Sequence, residues 1–243
     1  MKLTVRGALA AIFILCMAAL CVRLGFWQLD RLEQRRARNA AIRSATAQPA
    51  LRLDTGAPAA LAADPQAFEW RRAEASGRYH HAGDMVIRGR SRQGRPGVHL
   101  VSPLVLADGR VVMVNRGWVP SPDGSSADVR PLRTAAPVRV SGVLLPITTQ
   151  ADRGLPIAGR AGADTTWRRV DLAVARDRGP GPVIPLYLQQ LSDGAEADAP
   201  PIPEPLPALS EGNHLSYAVQ WFSFAAIGVI GLLIMVLRGR KMA

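Results

Sequence analysis

The chain has 243 residues, of which 48% are hydrophobic and only 5% aromatic, and its formal net charge at pH 7 is +11. This length suits one globular domain with attachments and is short for two full domains. Uninterrupted apolar runs lie at the two ends of the chain, at residues 8–22 and 215–237. The second is longer than the ~30 Å hydrocarbon core of a bilayer requires, which excludes a simple soluble cytosolic protein.

The positive charge is concentrated beside the apolar runs. Residues 1–39 carry a net charge of +5 and residues 213–243 one of +3, whereas the long stretch 40–212 carries only +3. Basic residues in such positions orient membrane helices and contact anionic lipid. The sequence contains no basic recognition helix and no basic strand with interleaved aromatic residues. We therefore expect the lipid bilayer, and no nucleic acid, to be the partner of this charge.

The first predicted element is a transmembrane helix over residues 8–29. Lys2 and Arg6 followed by an apolar run are also typical of a secretory signal peptide. Apolar character nevertheless continues past Arg23, which gives 22 residues and is enough to span a bilayer. Trp27 would then lie at the membrane interface. The sequence favours an uncleaved anchor over a cleaved signal.

The stretch 40–198 is predicted to be an extracytoplasmic β-rich domain. Short alternating segments bounded by Gly, Pro, Asp or Ser are typical of strands, and they occur at residues 69–76, 84–90, 99–106, 111–119, 137–145, 166–172 and 183–191. Asp108-Gly109 is typical of a hairpin turn, and one helical turn is expected near residues 171–176. The pattern predicts a mainly antiparallel small barrel or sheet. Without a βαβ rhythm or a Gly-rich phosphate loop, dinucleotide and nucleotide triphosphate binding have no support.

A Pro-rich linker over residues 199–212 and a second transmembrane helix over residues 214–237 complete the predicted organisation. Alternating prolines favour an extended strut of roughly 30 Å. Three basic residues after the second helix favour a cytoplasmic C-terminus, although the basic cluster 31–43 after the first helix argues for the opposite orientation. Two spans put both termini on one side, and long loops cross the membrane largely regardless of charge. We therefore expect both termini in the cytoplasm.

Catalytic and metal-binding patterns are weak. The chain has four histidines and no Gly-x-Ser-x-Gly elbow, so no nucleophile is paired with a base and no enzyme activity is expected. His80, His81, Asp84 and His99 leave a metal site open as an alternative. Neighbouring residues on a strand point to opposite faces, however, which favours a solvated pair of histidines.

His214 differs from the other histidines because it opens the second predicted membrane helix. Residues that share one helical face follow it, namely Tyr217, Trp221, Phe224 and Gly228. The residues alone leave two interpretations, an interfacial aromatic belt with a polar cap or the edge of a haem site with a neutral imidazole as axial ligand. Gln220, a polar residue within the span, indicates that this helix packs against the first helix or against another protein.

Five sequence elements, spread over nearly the whole chain, carry a family resemblance. They are LGFWQLDR at 24–31, EWRR at 69–72, GVHLVSPL at 97–104, VNRGWVP at 114–120 and NHLSYAVQWF at 213–222. In this order, and with an anchor at each end, they resemble the elements of the surfeit locus protein 1 family. Two positions depart from that pattern: Gly212, where many relatives have a second Asn, and Arg168, where an aromatic residue is usual.

The resemblance implies an assembly factor for haem-copper cytochrome c oxidase in a bacterial inner membrane, and not an enzyme. It implies transient binding of haem a, with His214 as the candidate ligand beside Tyr217 and Trp221. It also implies two partners, oxidase subunit I and the haem a synthesis machinery. Arg31 and Arg116 are candidates for contacts with haem propionates or with a partner, since guanidinium groups suit carboxylates. The alternative is a membrane-anchored scaffold for oxidase subunits that does not bind haem.

Overall fold

The computed structural model describes residues 5–55, 60–156, 165–192 and 199–241. The α-helices in these residues are α1 (Val5–Ala47), α2 (Ala60–Ala63), α3 (Leu172–Arg178) and α4 (His214–Lys241). The strands are β1 (Leu51–Arg52), β2 (Arg72–Tyr79), β3 (Met85–Arg92), β4 (Arg95–Leu106), β5 (Val111–Pro120), β6 (Val138–Pro146), β7 (Leu155–Pro156), β8 (Thr165–Trp167) and β9 (Val183–Gln190). The chain divides into a helical unit, Met1–Ile42 with Ala208–Ala243, and a barrel unit, Arg43–Pro207.

In the helical unit, a seven-residue repeat joins most of the buried positions that the structure describes. On α1 it joins Ala18, Gly25, Leu32 and Asn39, whereas Ile42 is buried outside it, and on α4 it joins Ala218 and Ala225. A seven-residue repeat is typical of two helices that pack along a shared seam. The small residues in this seam let the two backbones approach closely, as is common between helices in membranes.

Contacts along this seam show that α1 and α4 run antiparallel. A Cβ atom at Gly228 would lie 3.6 Å from Ile14, and one at Gly25 would lie 2.6 Å from the ring of Phe222. The Phe222 ring also meets that of Phe26 edge to face, with 5.4 Å between their centroids. Residue numbers therefore rise along α1 as they fall along α4. Gly25 has no side chain, which leaves room in the seam for the Phe222 ring.

Both long helices are apolar enough and long enough to cross a membrane. The 43 residues of α1 correspond to about 64 Å, roughly twice the ~30 Å hydrocarbon core of a bilayer. The helix continues through the basic cluster 31–43 instead of ending where the apolar run ends. Two long apolar helices thus occupy the termini, as the sequence predicts.

Five strands of the barrel unit close a small barrel in the order β2-β6-β9-β5-β4, and β4 pairs back to β2. Four of these five pairings are antiparallel, and the pairing of β5 with β9 is parallel. Outside the barrel, β1 pairs with β2, and β3, β8 and β7 continue the sheet from β4. The prediction of a mainly antiparallel small barrel is therefore confirmed.

The predicted segment 166–172 is the one that changes character along its length. Strand β8 ends at Trp167, and α3 begins at Leu172 after the cap residue Asp171. The Asp171 carboxylate accepts hydrogen bonds from the backbone N–H groups of Ala173, at 2.7 Å, and Val174, at 3.4 Å. This cap starts the helical turn that the sequence places at residues 171–176.

Alternation along the strands places apolar side chains on both faces of the barrel wall. Even-numbered residues fill the barrel, namely Leu104, Leu106, Val112, Val114, Leu186 and Leu188, whereas Val98 and Leu100 of β4 form a separate cluster with Val86, Val119 and Val129. Odd-numbered residues such as Val111 and Met113 face outward and pack against Met85, Trp167 and Ala175. Helix α3 and strand β8 cover this outer core, so the outer face of β5 is largely buried.

Part of the predicted proline strut lies on the barrel unit. Residues 201–204, which we name the docking segment, run beside β5, where Ile202 and Trp118 exchange two backbone hydrogen bonds of 2.8 Å. Gly117 admits this close approach, because a Cβ atom there would lie 2.1 Å from the carbonyl oxygen of Ile202. The predicted extended strut is therefore partly replaced by a short strand-like contact.

Candidate functional site

His214 lies at the first position of α4 and is held by a polar residue of α1. Its Nδ1 atom is 2.8 Å from Oε1 of Gln28. An amide oxygen only accepts hydrogen bonds, so Nδ1 carries a hydrogen, and in the neutral imidazole Nε2 then has the lone pair. No hydrogen bond to Nε2 occurs among the residues that the structure describes. In metal-binding histidines, one ring nitrogen usually donates a hydrogen bond of this kind, and the other nitrogen binds the metal.

Gly212 keeps the space beside Nε2 open. Its φ is +71°, and a Cβ atom there would lie 3.6 Å from Nε2 and 3.5 Å from Cδ2 of His214. A larger residue would add atoms next to the ring nitrogen that Gln28 does not contact. The absence of a side chain at Gly212 thus leaves Nε2 accessible.

The aromatic residues predicted to follow His214 divide between two environments. Trp221 is half-buried, and its ring meets that of Phe224 edge to face with 6.0 Å between centroids. Tyr217 and Phe224 are 49% and 56% exposed. The structure therefore brings Trp221 and Phe224 together and leaves Tyr217 with an exposed ring one turn after His214.

Arg31 belongs to the same helical unit and lies on α1. Its guanidinium stacks over the ring of Trp27 at 5.5 Å and donates a 2.8 Å hydrogen bond to Oε1 of Gln34. The side chain is exposed. It thus retains donors that could bind a carboxylate, while Trp27 and Gln34 restrict its orientation.

Arg116 belongs to the barrel unit, on β5. Its Nη2 atom donates a 2.7 Å hydrogen bond to the carbonyl oxygen of Leu132, and its guanidinium lies 4.7 Å over the ring of Tyr79. Burial raises the pKa of Tyr79 to about 12, although the charge of Arg116 acts in the opposite direction. The Nη1 atom of Arg116 is buried and has no hydrogen-bond partner among the described residues, so it is a second candidate donor for a carboxylate.

These residues fit a haem group in chemical terms. Within the helical unit, His214 offers a nitrogen ligand, the neighbouring aromatic rings offer flat apolar surface, and Arg31 offers donors for a carboxylate. Arg116 offers a donor in the barrel unit. Gln28 is the member that the sequence analysis missed. Its signal was its polarity within an apolar span, where an unpaired amide is costly.

Gln220 itself does not take part in the packing of the two helices that its polarity predicted. The second helix does pack against the first, but Gln220 lies on the exposed side of α4. Ala218 and Phe222 contribute to the seam instead, and the polar contact is made by His214 with Gln28.

The other histidines lie in the barrel unit, and protein groups hold the rings of two of them, His81 and His99. Nδ1 of His81 is 3.2 Å from the buried carboxylate of Asp84, and His99 contacts Asn115 and Glu204. His99 therefore has partners other than His81 and Asp84, with which the alternative of a metal site groups it. Across the described ranges, no group of three or more His, Cys, Asp or Glu residues is placed to hold a metal ion.

The fold and the candidate site define a class of protein in which two candidate membrane helices at the termini enclose, in sequence, a small mixed β-barrel. Residues 15–226 match the model of the SURF1 family. The chain therefore belongs to the SURF1 family, which confirms the resemblance drawn from its sequence elements.

Three relatives illustrate the breadth of the similarity. An uncharacterized SURF1-like protein of Mycobacterium bovis is 27% identical over 238 residues, covering 91% of this chain and 80% of the relative. A SURF1-like protein of Monosiga brevicollis is 26% identical over 84% of this chain and 78% of its own length. A SURF1-like protein of Rickettsia felis is 23% identical over 87% of this chain and 90% of its own length. The similarity therefore includes most of both the helical and the barrel units.

Proposed function

We propose that this chain is an assembly factor for haem-copper cytochrome c oxidase that handles haem a and assists its insertion into subunit I. In this proposal it catalyses no reaction of its own. Membership of the SURF1 family supports the oxidase assignment. The hydrogen bond between His214 and Gln28 is the observation that carries the haem assignment. The protein partners would be oxidase subunit I and the haem a synthesis machinery.

When bound, haem a supplies an iron atom that accepts a nitrogen ligand. His214 would be that ligand through Nε2, while Gln28 holds the ring in one orientation. Tyr217 and Trp221 would pack against the macrocycle, and Arg31 would donate hydrogen bonds to a haem carboxylate. Arg116, in the barrel unit, would donate to a carboxylate of a partner.

We also propose a location in the bacterial inner membrane, with residues 8–29 and 214–237 as the spans. The domain over residues 40–198 and the linker 199–212 would be periplasmic. The antiparallel packing of α1 and α4 supports this proposal, because it places the start of α1 and the end of α4 at the same end of the helical unit.

Deletion of the gene in its bacterial host tests the assembly role. We expect less active oxidase and subunit I that is underloaded with haem, while haem a is still synthesised. Re-expression of the full chain should restore the oxidase. Normal oxidase spectra and turnover in the deletion strain would contradict the assignment.

The alternative function is a scaffold that binds oxidase subunits and never binds haem. The exposed rings of Tyr217 and Phe224 suit a protein partner as well as a macrocycle. An absorbance spectrum of the full chain, purified in detergent from cells that make haem a, separates the two functions. A Soret band of haem a character supports haem handling, whereas a colourless, folded protein favours the scaffold.

A further inference from the structure

A cavity of about 350 Å³ lies on the outer face of the barrel wall, where β4, β5 and β9 meet. Part of its lining is apolar, with Ile87, Val101, Pro146 and Val170. The remainder is polar and includes two residues from the family elements, His99 and Asn115. This cavity belongs entirely to the barrel unit, and the inference below does not depend on the proposed handling of haem.

The polar wall contains a chain of hydrogen bonds with a fixed direction. The Asn115 carbonyl oxygen accepts from the backbone N–H of Gly117 at 3.1 Å. Its Nδ2 atom contacts Nδ1 of His99 at 3.1 Å and Oε1 of Gln189 at 2.8 Å. Both hydrogens of the Asn115 amide are therefore donated, and Nδ1 of His99 is an acceptor.

This assignment determines which atoms donate and which accept at both ends of this series of hydrogen bonds. His99 must carry its hydrogen on Nε2, which donates to the Glu204 carboxylate at 2.9 Å. That bond lowers the pKa of Glu204, so this carboxylate is ionised and already engaged. At the other end, the oxygen of Gln189 is used by Asn115, so only its Nε2 donors remain.

Two of the donors in this cavity lack an acceptor. Nε2 of Gln189 and Nε of Arg90 are buried, and neither has a hydrogen-bond partner in the part of the chain that the structure describes. Arg169 also lines the cavity, which adds a second guanidinium. A buried donor without an acceptor is unfavourable, so these atoms indicate a ligand that supplies acceptor oxygens.

Tyr187 adds a neutral hydroxyl to the same wall. Burial raises the pKa of its phenol, while the charge of Arg90 acts in the opposite direction. The hydroxyl therefore remains protonated at neutral pH and can donate a hydrogen bond. With two guanidinium groups and one engaged carboxylate, the cavity favours a ligand with a single negative charge.

We propose that this cavity binds a carboxylate attached to a short apolar chain. The carboxylate would accept hydrogen bonds from Arg90 and Gln189, and the apolar chain would pack against Ile87, Val101 and Pro146. Such a group is found in a free organic acid and in an acidic side chain of a partner polypeptide. The two sources share the recognition chemistry and differ in what surrounds the carboxylate.

Ligand-observed NMR titrations of the full chain in detergent micelles test this proposal. Butyrate is the probe for a free acid, and N-acetyl-glutamate N-methylamide is the probe for an acidic side chain. Butyramide is the uncharged control for butyrate. We expect at least one carboxylate to bind saturably and at least tenfold more tightly than butyramide, and the tighter of the two carboxylates identifies the source. Equal affinity for butyrate, its amide and the glutamate probe, or binding of none, would overturn the proposal.

Substitutions locate the binding in this cavity. Gln189→Glu keeps an acceptor for Asn115 and replaces the free N–H₂ group by a carboxylate oxygen, so we expect carboxylate affinity to fall at least tenfold. Arg168→Gln is the matched control, because it removes a positive charge from an exposed side chain that does not line the cavity. If Gln189→Glu loses its β-sheet signal in circular dichroism, Arg90→Gln replaces it as the test variant, and we expect the same fall in carboxylate affinity. Parental affinity in a folded Gln189→Glu protein, or in Arg90→Gln, would refute the site.

Discussion

At the residue scale, His214 and His99 differ in what their ring nitrogens contact. Both nitrogens of His99 are used within the barrel unit, by Asn115 and Glu204, whereas among the described residues His214 has a hydrogen-bond partner, Gln28, at Nδ1 alone. His214→Ala should therefore abolish or strongly weaken haem binding while the protein still inserts and folds, since the iron–nitrogen bond is lost. His99→Ala should leave haem binding unchanged. Haem titrations of both variants beside the parent protein measure the difference.

Residual weak binding in His214→Ala would agree with this role, because packing against Tyr217 and Trp221 is retained. Parental affinity together with a parental spectrum in this variant would mean that another group is the ligand.

Gln28 is expected to affect haem affinity through His214. Gln28→Leu removes the acceptor that fixes the imidazole but leaves the ligand itself in place. Loss of such an orienting group typically costs 10–100-fold in metal affinity, so we expect a loss of about tenfold in haem affinity. Gln220→Leu is the matched control, since Gln220 is an exposed amide of the same helical unit that lies outside the seam. Equal effects of the two variants in the titration would contradict an orienting role.

Asp84 is the buried carboxylate on which a polar cluster of the barrel unit depends. Its side chain is 1% exposed and accepts from Ser102 at 2.6 Å, while His81 lies at 3.2 Å and Arg133 at 3.4 Å. Asp84→Ala leaves these donors without their acceptor, which should cost about 3 kcal/mol of unfolding free energy. For a chain of this size, the unfolding temperature should fall by roughly 5–10 °C.

Asp128→Ala is the control for this prediction. Its carboxylate pairs with Arg130 at 2.8 Å on the surface, where 45% of the Asp128 side chain is exposed. Such pairs contribute little, because solvent screens them, so we expect no measurable shift. Thermal unfolding of the full chain in detergent, followed by circular dichroism, compares the two. A similar decrease in both variants would show that the Asp84 cluster is not a stabilising centre.

At the element scale, alternation and length predicted most of the architecture. Seven strand segments and two long apolar helices have strong local patterns, because one face of a strand or most of a long helix is apolar. Strands β1 and β7 contain two residues each, which is too short for any period. The parallel pairing of β5 with β9 joins segments about 70 residues apart, and no local signal specifies that register.

The candidate site could be predicted only in part for the same reason. The position of His214 at a helix start and its aromatic neighbours follow from spacing along one helix. Its contact with Gln28 depends on how α1 and α4 align, and that alignment is determined by packing at positions such as Gly25 and Phe222. The proline pattern likewise predicted an extended segment but not its pairing with Trp118.

The docking segment provides a prediction at this scale. Gly117 has a φ of +121°, and an added Cβ would lie 2.1 Å from the carbonyl oxygen of Ile202. Gly117→Ala should therefore displace the docking segment from β5 and destabilise the protein. Gly109→Ala is the matched control, because Gly109 also has a positive φ, +81°, but its added Cβ would meet nothing within 4 Å.

Hydrogen exchange of the full chain distinguishes the two glycine variants. The amides of Trp118 and Ile202 bond to each other's carbonyl oxygens, so their exchange should accelerate in Gly117→Ala and stay at the parental rate in Gly109→Ala. Both variants should show some loss of thermal stability from backbone strain, since a non-glycine residue at positive φ costs about 1–2 kcal/mol. Unchanged protection of these amides in Gly117→Ala would show that the docking segment does not depend on Gly117.

At the scale of the whole molecule, two basic regions give opposing indications of the orientation in the membrane. The basic cluster 31–43 is part of α1, which continues as one helix to Ala47, and it would attract its end of the helix to the cytoplasm. Arg238 and two further basic residues at the end of α4 favour the cytoplasm for that end. Because α1 and α4 run antiparallel, these two basic regions lie at opposite ends of the helix pair, and only one can be cytoplasmic.

We expect the basic residues after α4 to determine the orientation, so that both termini are cytoplasmic. The stretch between the spans is long, and charges in a long translocated segment contribute little to topology, whereas the short C-terminal tail falls under the positive-inside rule. Alkaline phosphatase fused near Ser125, within the barrel unit, should be active, and green fluorescent protein fused after Ala243 should be fluorescent. A triple charge reversal, Arg238→Glu with Arg240→Glu and Lys241→Glu, should reduce both signals, whereas the same reversal at Arg35, Arg36 and Arg38 should not. Inactive phosphatase near Ser125 in the parent chain, together with a phosphatase-active C-terminus, would show that the cluster on α1 dominates and that the orientation is reversed.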